Sequence, residues 1–233
     1  MSGPEPTPEP TPGSTPEPVA ESKRRSWLFL TTVTVLVLLA VALTGVAVWP
    51  RSAAMPPAPR AAAGSTPAPA ASHAPLKASQ PERLTIPGLD VATPLIGLGL
   101  NSDGTVQVPP IEAQAPAGWY RGSPTPGAPG ASVILGHVTV GPYGKGVFYR
   151  LGELRAGQQI DVTRADGSTA VFTVVDVAQY SKAHFPGSTV YGGTQEADLR
   201  VITCGGPYNA ADHSYPDNTV VYAKLTGVRT GVR

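Results

Sequence analysis

An all-β domain, a closed barrel or a sandwich, is what this sequence predicts for its larger part, on three observations. Between residues 83 and 225, short apolar or alternating runs recur, bounded by Gly, Pro, Asn and Asp. Runs of that kind read as strands, and about eight of them without intervening helices suit a barrel or sandwich. Helical signal is slight, confined to 146–154 (GVFYRLGEL), which fits one short turn or helix. Nor does any internal repeat suggest a solenoid or propeller.

The chain reaches that domain through three segments of different texture. Residues 1–26 open on a low-complexity, acidic run of Pro, Glu and Thr (PEPTPEPTPGSTPEP). It favours extended conformations and has almost nothing apolar to bury, so it reads as a solvated tail. Lys23-Arg24-Arg25 then precedes residues 27–49, WLFLTTVTVLVLLAVALTGVAVW, which contain no charge. About 20 residues of helix cross a bilayer core, so this run is long enough to span. Trp27 and Trp49 at its ends suit the two interfaces, and the basic triplet holds the N-terminus in the cytoplasm. A cleaved signal peptide has a shorter apolar region ending in a small-x-small site, so an uncleaved single-pass anchor is expected. The domain would then face the cell exterior. Residues 50–82 are rich in Ala, Pro and Ser and read as a semi-rigid spacer, His73 included.

Within the domain, taken as 83–226 with a short tail at 227–233, strands are predicted at 83–86, 93–98, 105–108, 132–135, 159–164, 169–177, 199–203 and 219–225. The second and third are joined through the turn Asn101-Ser102-Asp103-Gly104. Asp166-Gly167 marks a hairpin, since both residues tolerate positive φ.

Charge excludes one class of partner. The chain has 17 basic and 16 acidic residues, and from 83 to 224 it has nine Lys/Arg against eleven Asp/Glu. A surface of that balance carries no footprint for nucleic acid. Histidines are scattered and the cysteine is single, so neither a metal nor a cofactor is expected.

That lone cysteine, Cys204, cannot form an internal disulfide. It follows the apolar run Leu199-Arg200-Val201-Ile202-Thr203 and precedes Gly205-Gly206, a strand end where the backbone admits a substrate. His137 likewise follows an apolar run, Ser132-Val133-Ile134-Leu135-Gly136. Alone, the first suits a packed small hydrophobe and the second a loop residue. Together, two strand-end residues can meet at one rim, where an imidazole converts a thiol to a nucleophile. His184 and His213 read as loop residues within reach of substrate.

Four runs resemble the sortase family, most closely the actinobacterial class F type. They are Val133-Ile134-Leu135-Gly136-His137, Phe148-Tyr149-Arg150-Leu151-Gly152-Glu153-Leu154, Val201-Ile202-Thr203-Cys204-Gly205-Gly206 and Asp217-Asn218-Thr219-Val220-Val221-Tyr222-Ala223. The opening Leu84-Thr85-Ile86-Pro87 agrees with them. The resemblance implies a closed eight-stranded barrel with one or two short helices, behind the single transmembrane helix. It implies that Cys204 attacks the carbonyl of a sorting-signal peptide (LPxTG-like) in a secreted protein, with His137 as general acid and base. The thioester would pass to an amine acceptor, a cell-wall precursor or a pilin-like lysine, or to water. The family also carries an arginine downstream of its cysteine, and here Ala210 and Pro216 stand where it is expected. Arg150, then Arg121 or Arg200, are the candidates to replace it. Without one, a catalytically weak or inactive peptide-binding domain is the alternative. An L,D-transpeptidase, another cell-wall cysteine enzyme, sets its cysteine in a Ser-x-Gly-Cys context that Ile202-Thr203-Cys204-Gly205 does not match.

Overall fold

Eight strands close on themselves in the computed structural model, which describes residues 55–59 and 72–230. They are β1 (Pro81–Ile86), β2 (Val91–Leu98), β3 (Ala117–Tyr120), β4 (Gly130–Leu135), β5 (Gln159–Arg164), β6 (Ser168–Ser181), β7 (Ala197–Gly205) and β8 (Asp217–Thr230). Around the barrel they run β1-β2-β3-β4-β7-β8-β6-β5, with β5 returning to β1. β2–β3 and β4–β7 are parallel; the remaining pairs are antiparallel. Among the described residues helix is limited to single turns, including α1 (Gly187–Val190). The predicted tail 1–26 and membrane span 27–49 lie outside the described residues. Among those described, no helix is long and apolar enough to cross a membrane.

Alternation explains the barrel. Leu84, Ile86, Ile134, Ile160, Val162, Phe172, Val174, Leu199, Val201, Val221, Ala223 and Leu225 belong to one buried cluster. On β1, β5, β6, β7 and β8 these are every second residue, as a period of two requires. Phe172 on β6 is fully buried. Its replacement by alanine is expected to cost about 3–5 kcal/mol of stability. Urea unfolding checks this, and a loss below about 1 kcal/mol would mean the interior collapses around the gap.

The hairpin at Asp166-Gly167 forms as the sequence suggests. Gly167 adopts φ +79° and donates its N–H to Arg164 O at 3.0 Å. Asp166 accepts from the Ser168 hydroxyl (2.6 Å) and N–H (3.0 Å), and these bonds hold its carboxyl below the ordinary carboxylate range.

One expectation is corrected. Residues 105–108 alternate like a strand but make only the bridge Leu100↔Val106, because Gly104 (φ +81°) folds them back on β2's end and Pro109-Pro110 stop the pairing. The third barrel strand is Ala117-Gly118-Trp119-Tyr120 instead. The run 146–154 yields one 3₁₀ turn, Leu151–Glu153, as the sequence suggests, while Gly146 donates its N–H to Val138 O.

Both flanks of the domain are more engaged than their composition suggests. Within 50–82, His73 N–H donates to Leu225 O (2.8 Å), Leu76 N–H to Gly127 O (2.7 Å), and Arg164 bonds Lys77 O. Leu76 packs on the core, and Met55 O accepts from the Tyr149 hydroxyl at 3.2 Å. At the other end β8 runs on to Thr230, pairing with Ser168.

Candidate active site

Three strands set the geometry around Cys204. Leu199 and Val201 of β7 and Val221 and Ala223 of β8 point into the main core. Their alternates Ile202 and Val220 therefore face outward, where they form a second cluster with Val133 and Val190. By the same alternation Cys204 and Asn218 lie on this outward face, and they are direct cross-strand partners.

His137 arrives from the other side. The last β4–β7 pair is Leu135↔Ile202. One residue on, Gly136 N–H donates to Ile202 O (3.2 Å) and the buried Thr203 hydroxyl donates to Gly136 O (2.8 Å). His137 and Cys204 are the next residues of these adjacent parallel strands. Both are partly exposed.

Local sequence explains why the backbone holds there. A Cβ at Gly136 would collide with the ring of the fully buried Phe148, and one at Gly146 would collide with the His137 main chain. Phe148 N–H in turn donates to His137 O at 3.0 Å. After Cys204, a Cβ at Gly205 would lie 2.6 Å from Thr219 Oγ1, and Gly206 takes φ +82°. The Gly-Gly pair is thus a steric requirement of the turn.

The imidazole has one fixed nitrogen. His137 Nε2 lies 2.7 Å from Pro109 O. A carbonyl can only accept, so Nε2 carries the proton and the neutral ring keeps its lone pair on Nδ1. Cys204 itself packs against the cluster of Val138, Tyr149 and Tyr215. A cavity of about 400 Å³ opens there, lined among others by Thr139, Lys145, Tyr149, Tyr208 and Tyr215. The Tyr215 and Thr139 hydroxyls are 3.1 Å apart, and Lys145 Nζ sits 4.6 Å from the centre of the Tyr149 ring.

Along the outward face, away from the strand tips, the surface is aromatic and apolar. Tyr120, Leu135, Tyr180, Phe185 and Tyr222 pack around Val133, Ile202 and Val220. Burial, helped by the hydrogen bond to Tyr180, pushes the pKa of the Tyr222 hydroxyl well above its ordinary value.

The other expected residues are elsewhere. Arg150 is exposed and held by Glu153, with Nε and Nη2 at 2.9 and 2.6 Å from the carboxylate. Arg200 shares Cys204's face but is bound to Asp198 (3.0 Å) and lies 4.7 Å over the Tyr222 ring. Arg121 lies against Gly97 and Gly99 of the β2 side. His184 is exposed in a 3₁₀ turn (Lys182–His184), and His213 sits with φ +47° beside the Tyr208 hydroxyl at 3.2 Å. Among the described residues no three His, Cys, Asp or Glu side chains converge to hold a metal. Tyr149, Tyr215, Asn218 and the Pro109 carbonyl escape sequence reading, because only register and loop path bring them to Cys204 and His137.

A family model described as the sortase domain matches residues 84–226. No curated protein matches the chain by sequence. Among solved structures, sortase A of Listeria monocytogenes is similar with a TM-score of 0.49 at 18% identity, over 67% of this chain and 93% of that one. Sortase A from Corynebacterium diphtheriae gives 0.48 at 18%, over 65% and 62%. Sortase C-1 from Actinomyces oris gives 0.48 at 22%, over 63% and 73%.

Proposed function

The chain belongs to the sortase family, and from that premise we propose that it is a cysteine transpeptidase of the class F type acting on an LPxTG-like sorting signal. The Cys204 thiol gives its proton to His137 Nδ1 as Sγ attacks the scissile carbonyl carbon. The C–N bond breaks, the leaving amine takes a proton from His137, and a thioester remains. An incoming amine then gives its proton to His137 and expels the thiolate; water does the same in hydrolysis. Splitting acyl transfer this way replaces one difficult step with two easier ones. The observation that carries the reading is the β4–β7 register, which, extended by the bonds of Gly136 to Ile202 and Thr203, brings His137 and Cys204 to neighbouring strand ends. We place the chain in the cell membrane through residues 27–49, with the domain outside, on the strength of the uncharged run and the basic triplet before it.

Two approaches lead to Cys204. The partly exposed Tyr120, Leu135, Phe185 and Tyr222, which cover the buried Val133, Ile202 and Val220, form an apolar face that suits the peptide, and the tyrosine-lined cavity beyond the tips suits the acceptor amine. Replacing Tyr208 with alanine is expected to lower the ratio of transfer to hydrolysis while leaving acylation unchanged. An unchanged ratio removes the cavity from this scheme.

The test of the reaction is intact-mass spectrometry of the full-length chain in detergent, incubated with a library of sorting-motif peptides. A hydroxylamine-labile acyl mass on Cys204 supports a transpeptidase and names its motif. The engaged arginines and Pro216 favour a second reading, a peptide-binding domain without turnover. Peptide binding with neither adduct nor cleavage would select it.

A further inference from the structure

Attack by Cys204 turns the scissile carbonyl oxygen into an oxyanion, and its stabilisation is commonly the largest single contribution to acyl transfer. A donor must stand about 2.7–3.1 Å from that oxygen. Of the three arginines considered for this role, Arg150 is held by Glu153 and Arg200 by Asp198 and the Tyr222 ring, while Arg121 lies against Gly97 and Gly99 on the β2 side. Arg200 is also four residues back along β7, about 13 Å from Cys204. Pro216 has neither a polar side chain nor an N–H.

Given the transpeptidase reading above, on which this rests, we infer that the side-chain amide of Asn218 is the oxyanion donor of this enzyme. Asn218 is the direct partner of Cys204 across the antiparallel β7–β8 pair. Such partners share a face with Cβ atoms about 4.5–5.5 Å apart. A carbonyl bonded to Cys204 Sγ therefore falls within reach of the Asn218 amide. The outward orientation follows from β8 itself, where Val221, Ala223 and Leu225 enter the core and Val220 and Tyr222 do not.

Two further features fit the assignment. The Asn218 side chain is partly exposed and makes no hydrogen bond to the described residues, so both N–H donors are open to a ligand. The adjacent carboxylate is kept off this face: Asp217, paired opposite Gly205, is held by Gln179 Nε2 at 2.6 Å. A free anion beside a developing oxyanion would repel it, whereas a neutral amide stabilises it without needing a counter-charge.

The test compares the full-length wild-type chain with Asn218→Ala and the isosteric Asn218→Asp, which keeps shape but offers no donor. Acylation kcat/KM with a motif peptide is expected to fall about 10²–10³-fold in Asn218→Ala, and further in Asn218→Asp. The rate of Cys204 alkylation by iodoacetamide, which builds no oxyanion at a carbonyl, is expected to stay within twofold, with an unchanged pH profile. Wild-type acylation rates in both variants overturn the inference while leaving the transpeptidase reading intact. Parallel losses in alkylation also overturn it, since they move Asn218's effect to the thiol. A wild-type chain that forms no adduct removes the transpeptidase reading and this inference together.

Discussion

Replacing Cys204 with alanine is expected to abolish peptide cleavage and thioester formation together. Deleting the nucleophile of a covalent acyl-transfer enzyme costs on the order of 10⁶ in kcat, because no other group can form the intermediate. The fold is expected to tolerate the change. Cys204 sits near the end of β7, is partly exposed, and packs against the small cluster of Val138, Tyr149 and Tyr215. The main core receives Leu199 and Val201 from the same strand and not Cys204. Thermal unfolding of Cys204→Ala should therefore lie within a few degrees of wild type while the acyl mass disappears. Cys204→Ser sharpens the test, since it restores shape and a hydrogen-bonding group but not a thiolate. Cleavage that persists in the alanine variant would mean that Cys204 is not the nucleophile.

Sequence made the barrel visible where short runs rich in apolar residues supply the buried side chains of a strand. At 159–164 and 199–203 apolar residues recur in short runs, and both segments are strands with those residues in the core. It misled where the rule is carried by something other than the alternating residues. Ala117-Gly118-Trp119-Tyr120 looks unlike a strand, yet Leu98 of β2 packs into the space that the missing Gly118 Cβ leaves. At 105–108 the pattern was right for a strand but the flanking turn and prolines were not.

The candidate site divides the same way. Cys204 and His137 were legible because each ends an apolar run, and strand ends are where a barrel opens. Arg150 attracted attention as a cation in a matching motif, but Glu153, three residues on, binds it. Asn218 was hidden because its partner is fixed by register between strands 14 positions apart in sequence, which no local pattern records.

His137→Ala is expected to lower acylation by about 10²–10⁴-fold, the range for losing a positioned general acid–base group. Its signature differs from that of Asn218. Without the imidazole, Cys204 loses the base proposed for it, so iodoacetamide alkylation at neutral pH should slow along with peptide acylation. Asn218→Asp should spare alkylation. Added imidazole is expected to restore part of the His137→Ala activity, since the vacated space beside Cys204 can take the free base. The orientation of the ring provides a second, independent check. Pro109 O accepts from Nε2, leaving Nδ1 to exchange protons with thiol and amine, and Nδ1 makes no hydrogen bond to the described residues. In the neutral state, ¹⁵N shifts of His137 should report an Nε2–H tautomer. An Nδ1–H tautomer would mean that the Pro109 contact is broken in solution. Unchanged alkylation in His137→Ala would separate the imidazole from the thiol, and with it the two strand ends from a common chemistry.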